Sequence, residues 1–251
     1  MSLKHFYEQK EYARRYVIPY LEENVPLFRH EELDALEIGC AEGGLVNEFA
    51  NNGFHITGLE LDETRADNAQ LFNRRKSIIF QGDITDKYMS VELLNRCYDL
   101  IIMTDVIEHI SDKDSALNNV KQLLRYGGYL YITFPTKQSP YAGHQQNLKS
   151  WLRYVPYLSY FPEKVIRFVG KLAKEKDSKI NEIIRNKYNA VDMTLFETKC
   201  QNMGFRIIDK NYYLSRPIFK IRYNIPTVRA FNRITTFGCE YLLQYSPIAT
   251  D

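Results

Sequence analysis

Between residues 35 and 134 the chain alternates strand-length apolar runs with helical stretches, and this rhythm limits the folds open to it more than any other feature. The runs Ala35–Gly39, His55–Leu59, Ser77–Gln81, Tyr98–Thr104 and Tyr129–Phe134 read as strands. Helical spacing fills the gaps at Leu45–Asn52, Glu63–Asn73, Ser90–Asn95 and Asp112–Leu124, the last preceded by the capping types Ser111 and Asp112. Strands joined through helices are parallel and need helices on both faces, so a doubly wound, Rossmann-like α/β sheet is expected.

Outside that stretch the rhythm changes. Residues 3–24 read as a tyrosine-rich amphipathic helix within an N-terminal cap over 1–30. Residues 136–190 and 216–236 interrupt the alternation, and helix Thr194–Met203, strand Phe205–Tyr213 and strand Gly238–Tyr245 lie around them. We expect one domain over 1–251: a seven-stranded sheet with the last two strands added antiparallel at one edge. The two insertions, following strands five and six, would form a lid over the substrate.

A net charge of +2 conceals an uneven distribution. Acidic residues outnumber basic ones 22 to 14 over 1–135, whereas 136–235 carries 19 basic and 7 acidic residues. Segments so unlike in charge meet different partners. In the first insertion, Val165, Phe168, Val169 and Leu172 fall on one helical face, with Lys164, Arg167, Lys171 and Lys174 elsewhere. That pattern fits a lid with a solvated face, an anionic acceptor or contact with a membrane surface. The start of the chain has no apolar run of signal-peptide length, and no stretch is long enough to span a bilayer, so a cytoplasmic protein is expected. Four scattered cysteines without a C-x-x-C pair read as reduced thiols, and no metal ligand set is expected. The aromatic content makes a homodimer a candidate.

The first strand runs into the loop "LEIGCAEGG" at 36–44. A turn of this kind after the first strand of a doubly wound sheet holds a cofactor, and its glycines let the ligand approach the backbone. Gly39, Ala41 and Gly44 also satisfy a relaxed dinucleotide spacing, so the glycines alone do not select the ligand. Three acids narrow the choice. Glu37 would repel a pyrophosphate and attract a cation. Glu60, ending "ITGLE", suits the two hydroxyls of a ribose, and Asp83 in "FQGDI" suits an adenine amino group.

With "DLIIMTDVIEHI" at the fourth strand and "LLRYGGYLYITFP" at the fifth, these segments resemble the class I S-adenosylmethionine-dependent methyltransferases of small molecules, in order and spacing over about 35–135. "NMGFRIIDKNYYL" resembles the helix and sixth strand that close that fold. The resemblance implies S-adenosyl-L-methionine as cofactor and S-adenosyl-L-homocysteine as product. It implies Glu37 near the methionine ammonium, Gly39, Cys40, Ala41 and Gly43 along the methionine part, Glu60 on the ribose, and Asp83 with Ile84 around the adenine. Leu61, Gly82 and Thr104 complete the cofactor set. Ala41 stands where the family usually has glycine, which is tolerated if its φ is negative. Tyr12 could close over the cofactor but reads as core.

Methyl transfer to a hydroxyl needs an aligned nucleophile and a proton acceptor. His144, in the Pro/Gly loop after strand five, and Asp105, directly after strand four, are the catalytic candidates; Asp105 could equally cap a helix. Glu108 and His109 belong to "VIEHI", an element that is structural or cofactor-side in the family. The fourth strand exits into "TDVIEH" and lacks the Asn/Asp-Pro-Pro-aromatic run of nucleobase amino methylation, so DNA is disfavoured and O-methylation of a small hydroxylated molecule, such as a sugar or lipid-linked metabolite, leads. C- or N-methylation is the near alternative. An NAD-linked oxidoreductase and a non-catalytic nucleic-acid-binding relative are the more distant ones.

Overall fold

The computed structural model describes residues 2–26, 33–74, 77–86, 97–233 and 236–246. The chain begins with α1 (Ser2–Tyr12), passes through one π-helical turn (Ala13–Val17) and continues as α2 (Ile18–Asn24). Across that turn Tyr12, Tyr16 and Tyr20 stack, with ring centroids 5.7 and 6.2 Å apart and planes 11° from parallel. The alternating core follows as β1 (Asp34–Ile38), α3 (Gly44–Asn51), β2 (His55–Glu60), α4 (Glu63–Phe72), β3 (Ile78–Gln81), β4 (Tyr98–Thr104), α5 (Lys113–Leu123) and β5 (Leu124–Pro135). The helix expected over Ser90–Asn95 lies outside the described residues. Two starts are fixed by carboxylate caps: Asp62 accepts from the Arg65 amide and Asp112 from the Ser115 amide.

The first insertion holds more helix than expected. It contains three 3-10 turns, then α6 (Glu163–Leu172) and α7 (Asp177–Asn189). Helix α6 stops at Leu172, because Lys174 turns left-handed (φ 55°) and the Glu175 amide folds back on the Gly170 carbonyl at 3.0 Å. The Ile180, Ile183 and Ile184 spacing of α7 was visible in the sequence as helical periodicity. Ile180, Ile183, Ile184 and Ile166 of α6 join Leu148, Leu152 and Leu158 in a small core belonging to the insertion.

After α8 (Met193–Asn202) come β6 (Phe205–Ser215), α9 (Pro217–Tyr223), the two-residue β7 (Val228–Arg229) and β8 (Gly238–Tyr245). The strand order is β3-β2-β1-β4-β5-β8-β6-β7. Thus the seven-stranded doubly wound sheet carries an eighth short strand at one edge, formed within 216–236. Strands β1 to β5 are parallel, and β8 runs antiparallel between β5 and β6.

Two cores flank the sheet. One packs α5 and α8 against it through residues such as Leu117, Val120, Phe196 and Phe134. The other packs the N-terminal helices and α3 through Val17, Leu21, Val46 and Phe49. Central strands buried on both faces explain why β1 and β4 read as nearly unbroken apolar runs. On the N-terminal side the buried Glu240 of β8 accepts hydrogen bonds from Tyr131 (2.7 Å), Tyr16 and Asn211 (both 3.1 Å), fastening the stacked tyrosines to the sheet. The order reverses between β1 and β4, and a cleft opens beyond their carboxyl ends.

Candidate active site

The cleft has a volume of about 1150 Å³ and extends from the β2 and β3 ends to the first insertion and α9. Its floor is the turn after β1. Gly39 has φ 71°, and a Cβ there would come 2.4 Å from Cγ2 of Val106, so both backbone and space demand glycine. Ala41 departs from expectation: its φ is positive, 53°, so alanine adopts the left-handed conformation at a cost of about 1–2 kcal/mol. What holds it there is the Ala41 amide, which donates to Oε2 of Glu60 at 2.7 Å.

Of the eleven cofactor residues read from sequence, all but Cys40 and Gly43 line the cleft. Cys40 is fully buried with its thiol turned onto β2, where a Cβ at Gly58 would lie 2.9 Å from Sγ. Gly43 (φ 73°) packs against α4, and its carbonyl accepts from Nδ2 of Asn73 at 3.0 Å. Both shape the loop from outside the cleft lining.

Glu37 is fully buried, and neither carboxylate oxygen has a hydrogen-bond partner. Burial pushes its carboxyl well above the usual range, and Glu60 adds to the rise. An unpaired buried carboxylate costs several kcal/mol, which an ammonium entering the cleft would offset. Glu60 is oriented by the Ala41 amide and by the Asp62 amide at 3.0 Å, leaving lone pairs for ligand hydroxyls. Oδ1 of Asp83 accepts from the amide and hydroxyl of Thr85, both at 2.8 Å, in a turn that exposes the carboxylate beside Ile84.

The N-terminal helix contributes residues that sequence reasoning missed. Gln9 donates to the Cys40 carbonyl at 3.1 Å and accepts from the Gly44 amide at 3.2 Å, so α1 clasps the glycine turn from above. His5 and Arg65 both hold Glu42 beside it. No local pattern marks Gln9, because its partner loop is 31 residues away.

On the β4–β5 side, Asp105 also has positive φ, 58°, and is not a helix cap. Its carboxylate is paired with Arg216, which precedes α9, and takes a bond from the Thr133 hydroxyl at 3.3 Å. Although desolvation opposes it, the Arg216 guanidinium holds the Asp105 carboxyl below its usual range. Arg216 was missed because its role depends on folding across 111 residues. A 3-10 turn, Ile107–His109, then presents Glu108 and His109 side by side. Glu108 is 4% exposed with both oxygens unpartnered, and burial, reinforced by Asp105, pushes its carboxyl well up.

His144 meets this pair from the loop after β5. Its ring packs edge-on against His109 with centroids 5.1 Å apart. The loop is held firmly: Gln145 Nε2 donates to the Pro140 and Val155 carbonyls at 2.7 and 3.0 Å, and Asn186 of α7 donates to the Gly143 carbonyl. Burial, with the neighbouring His109, pushes the His144 pKa down to about 4, so the imidazole is neutral near pH 7 with a lone pair available. His109 is lowered too, chiefly by burial.

Residues 9–171 match the family described as "Methyltransferase domain". The chain is 25% identical over 198 residues to a ubiquinone biosynthesis O-methyltransferase of Nitrosospira multiformis, covering 74% of this chain and 78% of that protein. Among solved structures it is similar to a magnesium protoporphyrin IX methyltransferase from Synechocystis PCC 6803 with bound SAH (TM-score 0.55, 14% identity, 95% of this chain and 84% of that one). It is similar also to an S-adenosylmethionine-dependent methyltransferase from Clostridium acetobutylicum (TM-score 0.57, 14% identity, 96% and 92%). The family match sets aside the nicotinamide dinucleotide reading of the glycine spacing.

Proposed function

The chain belongs to the class I S-adenosylmethionine-dependent methyltransferases, and from that premise we propose that it O-methylates a small hydroxylated molecule. S-adenosylmethionine, when bound, supplies an electrophilic methyl group on a sulfonium. Glu37 would take its ammonium, Glu60 its ribose, and Asp83 with Ile84 its adenine. The observation that carries the hydroxyl reading is the gathering of Glu108, His109 and His144 on the β4–β5 side of the same cleft. A carboxylate and two imidazoles are groups that accept a hydroxyl's hydrogen bond and proton.

In this reading the acceptor hydroxyl lies against His144, whose neutral ring receives the proton as the oxygen attacks the methyl group. Asp105, already committed to Arg216, serves as a positioning group: its negative charge favours the imidazolium formed at His144. Transfer of labelled methyl to a panel of phenols, sugars, carboxylates and amines, with the product mapped by NMR, tests the reading. A methoxyl product supports it; products methylated only at nitrogen or carbon overturn it.

We also infer that the basic insertion faces an anionic membrane surface. Val165, Phe168 and Leu172 form an exposed apolar stripe on α6, with Trp151 also exposed and Lys164, Lys171 and Lys174 around it. Apolar side chains ringed by lysines are what an interfacial helix presents. Among the described residues no helix is long and apolar enough to cross a membrane. Salt-sensitive pelleting with phosphatidylserine vesicles, lost in Phe168→Asp, supports the inference; no pelleting at low salt overturns it.

A further inference from the structure

Glu108, His109 and His144 carry more than a proton acceptor requires. One donor atom from each lies within 4.8 Å of the other two. Glu108 is more than nine-tenths buried, and its oxygens have no hydrogen-bond partner although they face this cluster. The two imidazoles meet edge to face and are not hydrogen-bonded to each other. Ionising a carboxyl buried without a hydrogen bond is costly, and each neutral imidazole offers one nitrogen lone pair. A cation among the three donors would stabilise the ionised carboxylate and take both lone pairs.

We propose that Glu108, His109 and His144 bind a divalent transition-metal cation through one carboxylate oxygen and one nitrogen of each ring. Bonds of about 2.0–2.2 Å bring ligand atoms to roughly 3–4 Å of one another. The present spread therefore closes by about 1 Å, which side-chain torsions can supply, since the His109 side chain is 45% exposed. Two nitrogen donors and one oxygen favour zinc, manganese, iron, cobalt or nickel over magnesium or calcium. Asp105 is taken by Arg216 and stays outside the ligand set. Three protein ligands leave positions open toward the cleft, the arrangement of a site that also takes an exogenous oxygen.

The role of the cation rests on the hydroxyl reading above. It would take the acceptor oxygen and lower the hydroxyl pKa, so the proton leaves to solvent water before transfer. The oxyanion then forms its bond to the methyl carbon while the carbon–sulfur bond breaks, releasing the neutral thioether. With the cation bound, loss of the proton to water replaces the transfer to His144 described above for the metal-free site, because the His144 lone pair then bonds the cation. No metal motif was legible in the sequence because Glu108 and His109 are adjacent and His144 comes from a separate loop.

The test is titration of chelator-treated, untagged protein with Co²⁺, followed by its visible absorption. The wild type is expected to bind one equivalent, and Glu108→Gln and His144→Ala to bind more than about tenfold more weakly. S-adenosylhomocysteine affinity, measured calorimetrically, should stay unchanged in both variants. Glu108→Gln keeps the side-chain volume and leaves no buried carboxyl to ionise, so it is expected to fold and decides the matter should His144→Ala fail to. Absence of Co²⁺ binding by the wild type, or wild-type binding by Glu108→Gln, overturns the proposal. Failure of the hydroxyl reading is distinguishable: Co²⁺ would bind while the methyl group goes to nitrogen or carbon.

Discussion

The guanidinium of Arg216 holds the carboxylate of Asp105 across 111 residues of sequence, joining the exit of β4 to the segment that precedes α9. Arg216 is 11% exposed and Asp105 32%, so the pair is only partly shielded from water. Removing one partner from a fully buried pair costs ~3–5 kcal/mol. With water reaching Asp105, Arg216→Gln is expected to destabilise by about 2 kcal/mol in urea unfolding, and Arg216→Gln/Asp105→Asn to recover part of the loss. Because Arg216 lowers the Asp105 pKa, the pair's stabilisation is present above the ordinary aspartate value near ~3.9 and disappears as pH falls through the lowered one. A single variant as stable as wild type at pH 7 would show that the pair contributes little.

Glu37→Gln should act in opposite directions on binding and on stability. Loss of the charged partner for the ammonium is expected to weaken S-adenosylhomocysteine by tenfold or more, from about 1.5–3 kcal/mol for a hydrogen bond to a charged group. The ligand-free variant should be more stable than wild type, since no buried carboxylate has to ionise. The Glu37 pKa is raised on folding, so its share of stability is complete below the unfolded value near ~4.3 and is lost as pH rises toward the folded one. Melting curves of the two proteins should therefore diverge as pH rises. Unchanged affinity would remove Glu37 from the donor site.

Ala41→Gly and Gly39→Ala form a contrasting pair. The first relieves a left-handed alanine and should raise stability by about 0.5–1 kcal/mol, the gain tempered by the freer unfolded chain. The second adds a Cβ at φ 71° within 2.4 Å of Val106 and should destabilise and weaken cofactor binding together. Urea midpoints give the first comparison; a loss of stability in Ala41→Gly would contradict the positive φ.

His144→Ala is expected to lower kcat by roughly 100-fold or more, the usual scale for losing a group that manages the reacting proton. Affinity for S-adenosylhomocysteine should be nearly unchanged, because the proposed donor residues lie at the ends of β1 to β4 and in the glycine turn. Single-turnover rates alongside calorimetry separate the two effects. Undiminished turnover would exclude His144 from the reaction.

The grouping of Glu37, Glu60 and Asp83 along one cleft was legible because each acid stands at or near a strand end, where alternation and spacing reveal it. Ala41 shows the limit, since composition cannot give the sign of φ when a carboxylate 19 residues away fixes the backbone. Asp105 read as a possible cap because Arg216 could not be seen. Gln9 and the Glu108–His109–His144 cluster were invisible as units, being products of packing between a helix, a 3-10 turn and a loop. The insertion's α7 was different: its isoleucine spacing is helical, but it lies in a segment whose basic composition resembles a solvated loop.

The position of β8 between β5 and β6 sets an order of assembly. On the ribosome β5 emerges long before its antiparallel neighbour, and β6 can join the sheet only through a strand made later still. Until residues 238–245 are synthesised, both strands keep unsatisfied edges. The cleft's half formed by β1 to β4 can take shape while later residues are still being made, whereas Asp105 and the stacked tyrosines wait for Arg216 and Glu240. A nascent chain stalled in this interval would present open β-edges to chaperones.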